Sequence, residues 1–93
     1  MQTVEPPTHL FHGTVEKFLA AIKNEGLKKM SRQHVHLSKD KETAIKVASR
    51  RGKPIILSIA SGEMRSDGHN FYLSDNGVWL CDQVPTKYIN FNQ

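Results

Sequence analysis

Apolar residues change their spacing several times along the 93-residue chain, and each change marks an element. Val15, Phe18, Leu19 and Ile22 follow the i, i+3, i+4, i+7 spacing of one helical face, with Glu16 in the first turn and Gly26 as a left-handed stop. A helix is therefore predicted over this stretch, with the Thr14 hydroxyl as its cap. Before it, His9-Leu10-Phe11-His12 reads as a short strand ended by Gly13. After it, Leu27 to Gln33 is a basic connection and His34 to Leu37 a strand. Residues two apart on an extended backbone leave from one face, so His34 and His36 share a polar face while Val35 and Leu37 share an apolar one.

Ser38 is placed to cap a second helix that runs to about Arg51, buries Ala44, Ile45 and Ala48, and is terminated by Gly52-Lys53-Pro54. The strongly apolar run Ile55-Ile56-Leu57-Ser58-Ile59 lacks strict alternation, which predicts a central strand covered on both faces. Ser61 to Gly68 is turn-rich, with room for one helical turn. Phe71-Tyr72-Leu73 and Val78-Trp79-Leu80 flank Ser74-Asp75-Asn76-Gly77, whose Asn-Gly pair tolerates the positive φ of a hairpin turn. Pro85 precedes a last strand, Tyr88-Ile89-Asn90-Phe91. Residues 1–8, with Pro6 and Pro7 and no period, read as a linker or extended lead-in to a single lobe at 9–93. Two main helices among several strands predict an α+β class with a mixed or antiparallel sheet.

Composition narrows the function classes. A chain of this length holds one core, and no apolar run reaches the roughly 18 residues of a membrane span, so no membrane partner is expected. The single cysteine, Cys81, excludes an internal disulfide and any zinc site built on several cysteines, and no secretory signal is visible, which points to the cytoplasm. The net charge of +4 is grouped at Lys28, Lys29 and Arg32, at Lys39 and Lys41, and at Lys46, Arg50, Arg51 and Lys53. Such grouping suits a phosphate-bearing partner as well as a solvated face.

Chemistry concentrates between Met30 and Ser38, where a fixed cation, two imidazoles and two hydroxyls fall within nine residues. His12-Gly13-Thr14, at a strand-to-helix corner, adds an imidazole, an approachable backbone and a hydroxyl, a set that suits ribose hydroxyls or phosphate. His34-x-His36 also has the look of a metal pair, but His12, His69, Cys81 and Asp82 lack ligand spacing to it and Arg32 opposes a cation, so no metal is expected. Trp79 reads as core. No H-E-x-x-H, phosphate-binding Walker loop, G-x-G-x-x-G or paired-carboxylate motif occurs, and Cys81 has no nucleophile signature.

Leu10-Phe11-His12-Gly13-Thr14, Ser31-Arg32-Gln33-His34-Val35-His36-Leu37-Ser38, Asp67-Gly68 and Ser74-Asp75-Asn76-Gly77-Val78-Trp79-Leu80 occur in that order. Together they resemble the C-terminal, NAD-binding lobe of the KptA-type RNA 2′-phosphotransferases of tRNA splicing, over nearly the whole chain from about Pro6. The resemblance implies an ADP-ribosyltransferase-like split sheet wrapped around NAD as co-substrate. It implies transfer of an internal RNA 2′-phosphate to NAD, with 2′-hydroxyl RNA, nicotinamide and ADP-ribose 1″,2″-cyclic phosphate as products.

Carried over by residue, the resemblance makes Arg32 and His36 catalytic, Arg32 through the RNA phosphate and His36 against nicotinamide. It makes His12, Gly13, Thr14, Ser31, His34, His36, Ser38, Asn76, Gly77 and Val78 the dinucleotide contacts. Many ADP-ribosyltransferases place a glutamate where this chain reads Asn76-Gly77-Val78, and its absence fits a phosphate nucleophile that is already ionised. Family members also carry an N-terminal winged-helix-like RNA lobe with further arginine and histidine contacts. This chain corresponds to the part after it, so an RNA-binding lobe, in cis or in trans, is an expected partner beside 2′-phosphorylated RNA. Two other readings fit the same residues: a non-catalytic basic module for RNA or nucleotides, and a stand-alone transferase with another nucleophile.

Overall fold

The computed structural model describes residues 2–91. Met1 of the lead-in and residues 92–93 of the lobe lie outside the described residues. In chain order the elements are β1 (Leu10–Thr14), α1 (Glu16–Glu25), β2 (Leu27–Lys28), β3 (Val35–Leu37) and α2 (Lys41–Ser49). They continue with β4 (Ile55–Ile59), α3 (Ser61–Ser66), β5 (Tyr72–Leu73), β6 (Trp79–Cys81), β7 (Gln83–Val84), a 3₁₀ turn over Thr86–Tyr88, and β8 (Ile89–Asn90).

The apolar run of β4 lies between β1 and β8, as its lack of alternation predicts. β1 pairs with it along its whole length, from Leu10↔Ile59 to Thr14↔Ile55. A second three-stranded sheet has the order β3-β6-β5, and β2 and β7 form a two-stranded ribbon. Every one of these pairings is antiparallel, which settles the sheet type within the expected α+β class. The two larger sheets are joined where Phe11 N donates to Ser38 O (2.9 Å) and Ser38 N donates to Phe11 O (2.8 Å). Between and beneath them lies one apolar cluster that includes Leu10, Leu37, Leu57, Ile59, Met64 and Phe71. Burial of each such side chain contributes about 1.5–3 kcal/mol.

The small residues Ala44 and Ala48 let α2 settle onto β1 at Gly13. A Cβ built at Gly13 would stand 2.3 Å from the Ala44 carbonyl oxygen, so this glycine is a packing requirement. The lead-in is tied down as an extended strap: Val4 N donates to Phe71 O (2.8 Å), Ser61 Oγ to Pro7 O (2.8 Å), and Gly62 N to Thr8 O (3.0 Å).

Several local expectations are corrected. Thr14 does not cap α1; it is the last residue of β1, paired with Ile55, and Val15 occupies the cap position without a side-chain hydrogen bond. Ser38 does not cap α2, because its backbone is still held extended by Phe11. The turn into the helix comes two residues later, where Asp40 accepts from Thr43 N at 2.7 Å. Phe18 lies about 100° round the helix from Leu19 and is 39% exposed, beneath the Lys17 ammonium. Ile45 is likewise on the solvent side of α2, which uses Ala44 and Ala48 for contact. Part of the basic connection is strand β2, recruited by pairing with β7. His34 precedes β3, and Tyr88 belongs to the 3₁₀ turn before β8.

Candidate functional site

Beyond the Phe11–Ser38 bridge, β1 and β3 separate, and the gap is spanned by a side chain. His12 Nδ1 lies 3.3 Å from the carbonyl oxygen of His36. A carbonyl only accepts, so Nδ1 carries the proton and Nε2 of the neutral ring presents a lone pair. Burial holds His12 below the usual imidazole pKa, against the pull of the His36 carbonyl, and the charges of Arg51 and His36 add to the lowering. Strand alternation turns the backbone N–H and C=O of Gly13 to the same edge as those of Phe11, toward the gap. Thr14 shares a face of β1 with His12 and is buried.

The opposite wall is set by a turn at Lys29–Arg32, in which Arg32 N donates to Lys29 O (2.9 Å) and Met30 takes a left-handed φ of 56°. From this turn Arg32 reaches forward along the chain, and its Nη1 stands 3.0 Å from Nδ1 of His36. Guanidinium only donates, so His36 Nδ1 is the acceptor and its Nε2 bears the hydrogen. Partial burial, then the charges of Arg32 and His34, lower the His36 pKa. The two imidazoles are therefore complementary: His12 offers an acceptor at Nε2 and His36 a donor at Nε2, with a permanent cation attached to the second.

The register places the remaining candidates. His36 is opposite Leu80, and Leu80 is opposite Tyr72, so the three side chains lie in a row on one face of the β3-β6-β5 sheet. His34 joins that face by packing its ring against Tyr72, with centroids 5.6 Å apart. Ser31 is exposed in the Arg32 turn, and Ser38 is half-buried at the bridge. Asn76, Gly77 and Val78 are at the other end of β3: Leu37 pairs with Trp79, so Val78 lies alongside Ser38. Their turn is closed by Ser74, whose N donates to Val78 O (2.9 Å) and whose Oγ accepts from Val78 N (3.0 Å), with Gly77 at φ 83°. Four strand residues from His34 to Ser38 cover about 13 Å; His12, Arg32, His34 and His36 thus gather at one end and the hairpin stands at the other.

Sequence reasoning missed Tyr72 and Leu80, whose signal was their alternate positions in the predicted hairpin, and Arg51, which only the packing of α2 on β1 brings near His12. Two polar grooves lie elsewhere, one between the lead-in and α3 at Pro6, Thr8, Gly62 and Arg65, the other at Gly68, His69, Asp82 and Gln83. Cys81 pairs with Val35 and so faces the core, on the side of the sheet away from His36. Among the described residues no group of three or more His, Cys, Asp or Glu is placed to hold a metal ion, and no helix is long and apolar enough to cross a membrane.

Residues 1–83 match the RNA 2′-phosphotransferase, Tpt1 / KptA family. A probable RNA 2′-phosphotransferase of Flavobacterium johnsoniae is 68% identical over 87 residues, covering 94% of this chain and 48% of that protein. One from Rhodopirellula baltica is 58% identical over 86 residues, with 92% and 47% covered. One from Fusobacterium nucleatum is 56% identical over 92 residues, with 98% and 51% covered. The chain thus spans about half the length of the relatives it matches. A match that takes in His12, the Arg32–His36 segment and the Asn76–Val78 turn places this chain in the RNA 2′-phosphotransferase, Tpt1 / KptA family.

Proposed function

We propose that this chain forms the NAD-binding, ADP-ribosyltransferase-like lobe of an RNA 2′-phosphotransferase that moves an internal RNA 2′-phosphate, as at a tRNA splice junction, onto NAD. The observation that carries the reading is the hydrogen-bonded series His12–His36–Arg32. Its donor set fits the partners: a ribose hydroxyl can donate to His12 Nε2, His36 Nε2–H can donate to a ribose or amide oxygen, and Arg32 can hold a phosphate. When bound, NAD supplies an electrophilic C1″ with nicotinamide as its leaving group.

The roles of the residues follow. Arg32 holds the 2′-phosphate, which is ionised at neutral pH, so its oxygen forms the bond to C1″ as the bond to nicotinamide breaks and no general base is needed. His36 stays uncharged beside Arg32 and keeps its donor directed at the dinucleotide. His12 orients the ribose hydroxyl that then attacks phosphorus; the bond to the RNA 2′-oxygen breaks, and that oxygen takes up the proton that the attacking hydroxyl gives up, so 2′-hydroxyl RNA departs with ADP-ribose 1″,2″-cyclic phosphate left behind. Gly13 contributes backbone groups at the gap, Thr14, Ser31, His34 and Ser38 line the site, and Asn76, Gly77 and Val78 contact the dinucleotide from the hairpin turn. The reaction takes place in the cytoplasm, and an N-terminal RNA-binding lobe in cis or in trans completes the phosphate site.

Nicotinamide release from NAD tests the reading, measured with RNA bearing one 2′-phosphate, with and without an added N-terminal lobe from a relative. Release that requires the 2′-phosphate is expected. Release without it would indicate another nucleophile, and salt-dependent RNA binding with no NAD effect would indicate a non-catalytic module.

A further inference from the structure

We propose that Tyr72, braced by His34, is the surface on which the base of the nucleoside carrying the 2′-phosphate stacks; this rests on the function proposed above. The Tyr72–Leu80–His36 row crosses two strand spacings, about 10 Å, and Arg32 is bonded to the far end of that row at 3.0 Å. A nucleoside 2′-phosphate whose phosphate is held at Arg32 would lay its base along the same face toward Tyr72. Leu80 beneath is 6% exposed, so the floor is apolar and sealed, whereas Tyr72 above it is half-buried. The neighbouring Phe71 supplies the core contact and is fully buried, and the Tyr72 hydroxyl makes no hydrogen bond among the described residues. The Tyr72 ring is thus positioned by packing against His34 and over Leu80, with no hydrogen bond committing its hydroxyl.

Charge selects a nucleic acid as the occupant. Lys28, Lys29 and Arg32 are all exposed and form no ion pair with a carboxylate among the described residues. A half-buried aromatic ring on the face that ends at Arg32, with Lys28 and Lys29 a few residues along the chain, is a combination that can bind single-stranded nucleic acid, the ring taking a base and the cations the backbone.

The test is the affinity of the 93-residue chain for short RNAs carrying one 2′-phosphate, with either a base or an abasic site at that nucleotide, read by fluorescence anisotropy. Wild type is expected to prefer the base-bearing RNA by roughly fivefold to a hundredfold, the range for one base–aromatic stack. Tyr72→Phe keeps the preference. Tyr72→Leu, which still covers Leu80, abolishes it and leaves NAD affinity unchanged. Retention of the preference in Tyr72→Leu overturns the proposal, as does a loss of NAD affinity in that variant, which would assign the ring to the dinucleotide. If wild type does not distinguish 2′-phosphate from 2′-hydroxyl RNA, the phosphotransferase reading fails and the stacking site with it; loss of the base effect alone removes only the stacking site.

Discussion

Arg32 Nη1 stands 3.0 Å from Nδ1 of His36, and because the guanidinium can only donate, this contact exists only with a neutral histidine. A charged His36 would set two cations against each other. Arg32→Ala is therefore expected to raise the His36 pKa toward the ordinary imidazole value and to release Nδ1 for protonation. Nitrogen-detected NMR of the ring reads both effects. An Nδ1–H tautomer in the wild type would contradict the geometry. In the complete enzyme the same variant is expected to impair phosphate transfer more than NAD binding, and equal losses in the two would contradict the role proposed for Arg32.

The proposed role of His12 puts a structural bond and a ligand bond on the two nitrogens of one ring. Nδ1 holds the His36 carbonyl, and in the proposed function Nε2 accepts from the ligand. His12→Asn keeps a donor near the Nδ1 position and removes the acceptor at Nε2. The variant is expected to retain its urea midpoint and to weaken NAD binding by about 0.5–1.5 kcal/mol, the worth of one hydrogen bond. Calorimetric titration with NAD measures it. An unchanged affinity would remove His12 from the site.

Both histidines are depressed in the folded chain, and this fixes the direction of the pH response. The unfolded chain has the ordinary value of 6.5 and binds protons first as pH falls. Stability conferred by the neutral rings is complete above about pH 6.5 and is lost as pH drops through the folded-state values. Urea midpoints are expected to fall from pH 7 to pH 5, and less steeply in His12→Asn. A midpoint that rises on acidification would reverse the assignment.

Much of this arrangement was legible in the chain. Strong apolarity without strict alternation placed β4 at the centre, and Ser74 to Gly77 specified the hairpin that aligns Tyr72 with Leu80. Long-range partners were not legible. Thr14 and Ser38 are good cap residues by type, but strand pairing claims both backbones, and no local signal reports Ile55 or Phe11 across the gap. The two-residue strands β2 and β7 are too short to carry a period and exist only through each other. Phe18 and Ile45 show the limit of a helical stripe, which gives spacing but not the angle at which the helix is seated. Among the candidate residues, sequence grouped Arg32, His34 and His36, while the bond from His12 needed the fold.

Cys81 is expected to be chemically silent in the folded chain. The residue is 1% exposed, and burial, together with Asp82, pushes the thiol pKa up to about 12. Thiolate is the reactive species. A disulfide reagent at pH 8 should label Cys81 only in denaturant. Rapid labelling of the native chain would show that the β3–β6 pair opens readily.

Gly13 and Gly77 are both glycines of the candidate site, but alanine should act on them differently. At Gly77 nothing lies within 4 Å of a new Cβ, and only the φ of 83° resists substitution, at about 1–2 kcal/mol. At Gly13 the new Cβ meets the Ala44 carbonyl oxygen at 2.3 Å and the Ala48 Cβ at 2.9 Å. The first contact is backbone and cannot rotate away, so α2 must move off β1, and overpacking of this kind costs about 1–3 kcal/mol. Trimming the neighbour distinguishes the two contacts: Ala48→Gly removes the 2.9 Å clash but leaves the carbonyl in place, so it should not rescue Gly13→Ala. Moving α2 also carries Arg51 away from His12, so Gly13→Ala should raise the His12 pKa while Gly77→Ala leaves it unchanged. Urea midpoints and a histidine NMR titration of the three variants measure both effects. A Gly13→Ala chain with native stability would mean that α2 is not seated on β1 as the structure has it.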